Sequence, residues 1–134
     1  MHISISPDVA GPGLLVAAGG GLLALCFVTA IIIGLESLVL WRLGWGTFKR
    51  SLLAGFVMNL ATSILGIGVV PFTLQLGIWG LLIDLALSVL VEGGIRMLFK
   101  RGATRANWLA ALAANGASYL LVILPVYLLT GLLK

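Results

Sequence analysis

Residues 11–41 read GPGLLVAAGGGLLALCFVTAIIIGLESLVLW and contain one charged side chain, Glu36. A helix of about 20 apolar residues crosses the hydrocarbon core of a bilayer, so this run is longer than one span requires. Tilt, or a bend at Gly19-Gly20-Gly21, accommodates the excess. Pro12 suits the first turn of the helix, where its missing N–H has no partner to lose.

Working outward, the pattern recurs. Arg42 to Arg50 is polar and basic, with Gly44 and Gly46 as turn residues. A second apolar run goes from Ser51 to about Leu74, and Pro71, Gln75 and Gly77 mark a tight turn. A third run goes from Gly77 to Phe99, Lys100 to Asn107 form a second basic segment, and Trp108 to Leu133 make a fourth run with Asn107 as its N-cap. The spans are expected at about 14–41, 51–73, 77–99 and 108–132, in a single membrane domain covering residues 1–134. Strict apolar/polar alternation, the mark of a membrane β-barrel, is absent. The expected fold is an all-α integral membrane protein, a four-transmembrane-helix bundle.

Composition points the same way. The 134 residues are 61% hydrophobic and 9% charged, with a mean hydropathy of +1.22, whereas soluble domains are nearer a quarter charged. A bilayer removes the need to cover such a chain with polar surface. The net charge of +4 and pI near 9.9 would suggest nucleic acid in a soluble domain. Here the basic residues sit in short segments between apolar runs and form no basic face, so nucleic acid is excluded as a partner. The single cysteine, Cys26, reads as a small buried apolar residue, and the only histidine, His2, lies outside the apolar runs, leaving no in-membrane imidazole for a haem. No cofactor or metal is expected. Residues 1–13 carry no Lys or Arg, so the basic region of a secretory signal is missing and the first run should stay in the mature protein.

The basic residues also orient the chain. Arg42, Lys49 and Arg50 fall in one segment and Arg96, Lys100, Arg101 and Arg105 at the other, seven of the eight in all. The positive-inside rule places loops 42–50 and 100–107 in the cytoplasm of a bacterial-type inner membrane, with Asp8, the Pro71–Gly77 turn, Lys134 and both termini outside. Trp41, Trp45 and Trp108 then lie at the inner interface and Trp79 near the outer one, as an aromatic belt.

The two halves look related at an offset of 56 residues. That offset matches Glu36 with Glu92, Asn59 with Asn115, Gly46 with Gly102, Lys49 with Arg105, Leu53 with Leu109, Ala54 with Ala110, Ala61 with Ala117 and Thr62 with Ser118. Each repeat would be a two-helix hairpin, and an even number of spans per repeat makes the two hairpins parallel-related, unlike the inverted repeats of many transporters.

The polar residues within the runs are the candidate site. Glu36 and Asn59 are equidistant from the middle of the first basic segment, and Glu92 and Asn115 from the middle of the second. In an antiparallel hairpin each Glu can therefore meet its Asn, one or two turns from the loop ends. A charged carboxylate at depth is costly, and a protonated Glu and an Asn amide can exchange two hydrogen bonds, an interhelical clamp. On the third helix Asp84, Ser88, Glu92 and Arg96 are spaced by four and share a face, a candidate ion, proton or partner site. Glu92 can pair with Arg96, whereas Asp84 has no basic residue one turn away, and its match at the offset is Val28. Gly55, Asn59 and Ser63 form one row of small residues, and Ala110, Ala114 and Ser118 another; such rows let helices approach closely. No nucleophile–base pair or metal-ligand cluster is visible, so no enzyme is expected.

Two functional readings follow. In the first, the chain is a non-enzymatic multi-pass protein that acts through helix packing, as an accessory subunit of a membrane complex or a homo-oligomer. Its partners are then the lipid bilayer and other membrane subunits or itself. In the second, it is a small ion- or proton-coupled transporter or channel with Asp84 and Glu92 on the pathway.

Overall fold

The computed structural model describes the backbone of residues 7–130 and the side chains of residues 19–130. The described chain is all-helical. Helix α1 covers Pro7–Arg42, α2 Phe48–Thr73, α3 Ile78–Phe99, α4 Thr104–Ser118 and α5 Leu124–Thr130. A π turn, Tyr119–Ile123, makes α4 and α5 one rod from Thr104 to Thr130. This rod and the stretches Gly19–Arg42, Phe48–Leu76 and Ile78–Phe99 are each long and apolar enough to cross a membrane. The shortest has 22 residues, about 33 Å at 1.5 Å per residue, which matches a hydrocarbon core of about 30 Å. Each rod packs on its sequence neighbours and the fourth returns to the first, closing a ring of four.

Helix boundaries differ from the apolar runs because caps and turns, rather than hydropathy, end helices. Helix α1 starts at Pro7, so Pro12 falls beyond its first turn, and it runs unbroken through Gly19-Gly20-Gly21. Helix α2 starts at Phe48, where the Thr47 side chain accepts from the Arg50 N–H at 3.3 Å. Pro71 does not begin the turn: α2 continues through it to Thr73, and the reversal is a 3₁₀ turn, Leu74–Leu76, closed by Gly77 at φ +55°. Helix α4 starts at Thr104, so Asn107 lies inside its first turn and is not the N-cap. The π turn precedes Pro125. Proline cannot donate to the ladder and crowds the carbonyl four residues back; a widened turn absorbs that misfit, and the Leu124 N–H accordingly reaches the Tyr119 carbonyl.

Burial is inverted relative to a soluble bundle. Leu23, Phe27, Ile67, Phe72, Trp79 and Leu129 are among many large apolar side chains pointing outward, while Arg96, Glu36, Glu92, Asn107 and Asn115 rank among the largest fully buried ones. Cys26 is exposed on this outer face rather than buried. The aromatic belt is likewise only partly realised. Trp41 and Trp79 face outward, but Trp45 is buried with Leu40, Ala54, Met58, Ala110 and Ala114 in an apolar core near the basic loops, and Trp108 packs on Gly93. Asp8, His2, Lys134 and both termini, on which part of the expected topology rests, lie outside the residues whose side chains are described.

Candidate functional site

Four helices converge on a polar cluster directly above that apolar core. Asn59 Nδ2 on α2 donates to Glu36 Oε2 on α1 at 2.7 Å, and Asn115 Nδ2 on α4 donates to Glu92 Oε2 on α3 at 2.8 Å. Each amide gives its second proton to its own helix, Asn59 to the Gly55 carbonyl at 3.0 Å and Asn115 to the Ala111 carbonyl at 3.1 Å. The contact is thus one amide-to-carboxylate bond per hairpin, not a reciprocal pair, because the helix backbone competes for the other N–H. The depth differs too. Asn59 and Asn115 each lie 11 residues past the first residue of their helices, Phe48 and Thr104, about three turns rather than one or two, since both helices begin before their apolar runs.

The two glutamates are held differently. Both oxygens of Glu36 are occupied, since Ser118 Oγ on α4 donates to Oε1 at 2.7 Å while Asn59 holds Oε2. Glu92 takes both its bonds on one oxygen: Oε2 accepts from Asn115 and from Arg96 Nη2 at 3.2 Å. Among the described residues no donor reaches Glu92 Oε1. Arg96 is fully buried, and its Nε and Nη1 have no hydrogen-bond partner.

A cleft of about 610 Å³ runs from this cluster away from the basic loops. Glu36, Asn59, Glu92, Asn115 and Ser118 form its polar end, and it extends along the helices to the level of Leu25, Val70, Leu81 and Tyr127. From Glu36 to Leu25 is 11 residues, about 16 Å of helix. Asp84 and Ser88 line the same cleft, two turns and one turn from Glu92 respectively, so three of the four residues spaced along α3 share it, while Arg96 lies one turn beyond, behind Glu92. The donor for Asp84 comes from another helix: Thr73 Oγ1 at the end of α2 lies 2.9 Å from Asp84 Oδ2. Ser88 Oγ hydrogen-bonds the Tyr119 hydroxyl at 3.3 Å. Of the small-residue rows, Gly55, Asn59, Ala110, Ala114 and Ser118 are buried, and Ser63 instead lines the cleft.

Below the apolar core the two basic loops are tied to each other. Trp45 Nε1 donates to Asn107 Oδ1 at 2.8 Å, Asn107 Nδ2 to the Lys100 carbonyl at 2.8 Å and Lys100 Nζ to the Trp45 carbonyl at 3.1 Å. Arg50 also donates to the Phe99 carbonyl. The cleft therefore has a sealed end.

Sequence reasoning missed Thr73, Tyr119 and the Trp45–Asn107 link, and it read Ser118 only as a packing residue. Thr73 is legible in retrospect as the hydroxyl across the turn from Asp84. Ser118 is not, because its partner is 82 residues away on the other hairpin. Among the described residues no group of His, Cys, Asp and Glu is arranged to hold a metal ion. No family model, curated protein or solved structure matches this chain, and its chemistry is read from this geometry alone.

Proposed function

We propose that this chain is an integral membrane protein that binds and carries a monovalent cation, a proton included, at the Glu92 end of the cleft. The inverted burial supports membrane residence: an outer surface of Leu, Ile, Phe and Trp suits lipid. In this reading the loops holding Arg50 and Lys100 face the cytoplasm of a bacterial-type inner membrane, the termini lie outside, and the two hairpins are parallel-related repeats of 56 residues.

The observation that carries the reading is the free oxygen of Glu92. With every group ionised, Glu36, Glu92 and Arg96 leave one negative charge uncompensated at depth. Glu36 is saturated by donors from two helices and reads as a structural acceptor. Glu92 keeps one oxygen for a proton or cation arriving along the cleft. Charge at depth is expensive and favours an occupant that neutralises it. Sequence alone favours a packing subunit; the unequal treatment of the two glutamates favours the carrier.

The test is proton flux into reconstituted vesicles under an imposed potassium diffusion potential, read with an internal pH dye. Wild type should exceed protein-free vesicles, and Glu92→Gln should lose the flux while keeping its native mass in detergent. Flux absent in wild type, or unchanged in Glu92→Gln, would falsify the reading. The second reading, an accessory subunit, draws support from the many large apolar side chains on the outer face of the ring. A hetero-complex after mild extraction from native membranes, together with no flux, would establish it instead.

A further inference from the structure

The cleft is far larger than a bare ion or a water file needs, and its lining is chemically one-sided. Of its lining residues three are acidic, Glu36, Asp84 and Glu92, and none is Lys, Arg or His. Leu25, Val28, Ile32, Val69 and Ile123 are among the apolar side chains that make up half of the rest. Tyr119 and Tyr127 stand on the same wall, beyond Ser118. Resting on the carrier reading, we propose that the cleft accepts an organic cation with a bulky apolar body, its positive centre on Glu92 Oε1 and its body between the four helices.

Each part of the cleft has a role in that complex. A volume of about 610 Å³ falls within the 300–1,000 Å³ typical of sites for drug-sized ligands. The apolar walls bury the body of the ligand, and the two phenol rings offer faces that attract a cation passing toward the carboxylate. Glu92 is 1% exposed, so its free oxygen is a sheltered, directional partner rather than a diffuse surface charge. A proton and the organic cation compete for that oxygen, so binding of one expels the other. The charge count stays balanced, with one positive charge entering as one leaves. Asp84, one and two turns nearer the far end than Ser88 and Glu92, gives the cation a first acidic contact on its way in.

Equilibrium dialysis of the detergent-solubilised protein with radiolabelled tetraphenylphosphonium tests this, with protein-free micelles as the blank. Expected are saturable binding, tighter at pH 8 than at pH 6, and proton release into unbuffered solution when the cation is added. Neutral triphenylphosphine oxide should not compete, because it lacks the charge, nor tetramethylammonium, because it lacks the apolar body. Glu92→Gln should weaken binding at least tenfold. Ser63→Trp, which fills the cleft from a wall position that makes none of the cluster's hydrogen bonds, should do the same with unchanged native mass. No saturable binding over micelles, or binding indifferent to both substitutions, overturns the proposal. Proton flux in vesicles with no tetraphenylphosphonium binding overturns the ligand class and leaves the carrier reading standing. Saturable, Glu92-dependent binding without flux upholds the ligand class and overturns the carrier reading.

Discussion

Ser118→Ala should destabilise the bundle, and Thr62→Ala, its match at the 56-residue offset, should not. The Ser118 hydroxyl donates at 2.7 Å to Oε1 of Glu36, a side chain 1% exposed and joined to α2 only through its other oxygen. Removing the hydroxyl leaves a buried carboxylate oxygen without a donor. That costs about 1–3 kcal/mol in soluble proteins, whereas interhelical hydrogen bonds in membranes average about 0.6 and reach about 1.7 kcal/mol. The expected loss is therefore about 1–2 kcal/mol, near the top of the membrane range, because the acceptor is a carboxylate and hydrogen bonds to charged groups are the stronger ones. The Thr62 hydroxyl bonds only to the Met58 and Asn59 carbonyls of its own helix, contacts that are absent from Ala without leaving an orphan, since those carbonyls keep their ladder partners. Its loss should be about zero, within ±0.5 kcal/mol. Stability is read by titrating sodium dodecyl sulfate into mixed micelles and following far-ultraviolet circular dichroism. Equal losses in the two variants would refute the claim that Glu36 ties the hairpins together through Ser118.

The other perturbations test separate parts of the fold. A Cβ on Gly80 would lie 1.8 Å from the Thr73 carbonyl oxygen, while one on Gly94 meets nothing within 4 Å. Gly80→Ala should therefore force the α2–α3 turn apart and cost about 3 kcal/mol or more, whereas Gly94→Ala should gain up to about 1 kcal/mol from helix propensity, both read in the same titration. Asp84→Asn keeps an acceptor for Thr73 and should assemble normally, whereas Asp84→Leu removes the acceptor that ties Thr73 to α3 and should lower the yield of bundle of native mass. Single cysteines at Thr47 and Thr104, in a Cys26→Ser background, should resist an impermeant thiol reagent in intact cells, and one at Gln75 should react; the opposite pattern would reverse the proposed orientation.

The number and order of the helices were legible because a run of 20 or more apolar residues has few alternatives to a long helix. Their ends were not. Hydropathy falls at Arg42 and Lys100, but Thr47 caps the start of α2 and α4 begins at Thr104 with no side-chain cap, and a helix tolerates Lys49, Arg50 and Arg105 in its first turn. The Glu–Asn contacts were legible as mirrored spacings about a turn, a within-hairpin relation. What joins one hairpin to the other, Ser118 with Glu36 and Trp45 with Asn107, depends on how the hairpins pack, and no spacing encodes that. The cleft was illegible for the same reason: it is space left between helices, and Tyr119 and Ser63 look like ordinary lining until the ring closes.

Under the proposed 56-residue repeat, the two halves differ most around Glu92. Val28, Ile32, Leu40 and Thr62 in the first half stand opposite Asp84, Ser88, Arg96 and Ser118 in the second. Four positions that are apolar or self-satisfied in the first half thus correspond at that offset to polar ones around a single glutamate. A clamp needs only the Glu and Asn already present in both halves. Arg96 in particular is costly: in the last turn of α3 it is fully buried, with two nitrogens unbonded, and a buried charge without a full set of partners is expensive. Replacing a buried ion pair by apolar or neutral side chains of similar size is often neutral or stabilising by about 1–4 kcal/mol. The double variant Glu92→Gln with Arg96→Leu, which installs the residue of the matching position Leu40, should therefore unfold at the same detergent fraction as wild type or a higher one. It should also carry no proton flux and bind no tetraphenylphosphonium. A bundle that falls apart in the double variant would show that the pair holds the helices together, and the free oxygen of Glu92 would then be a packing imperfection rather than a binding site.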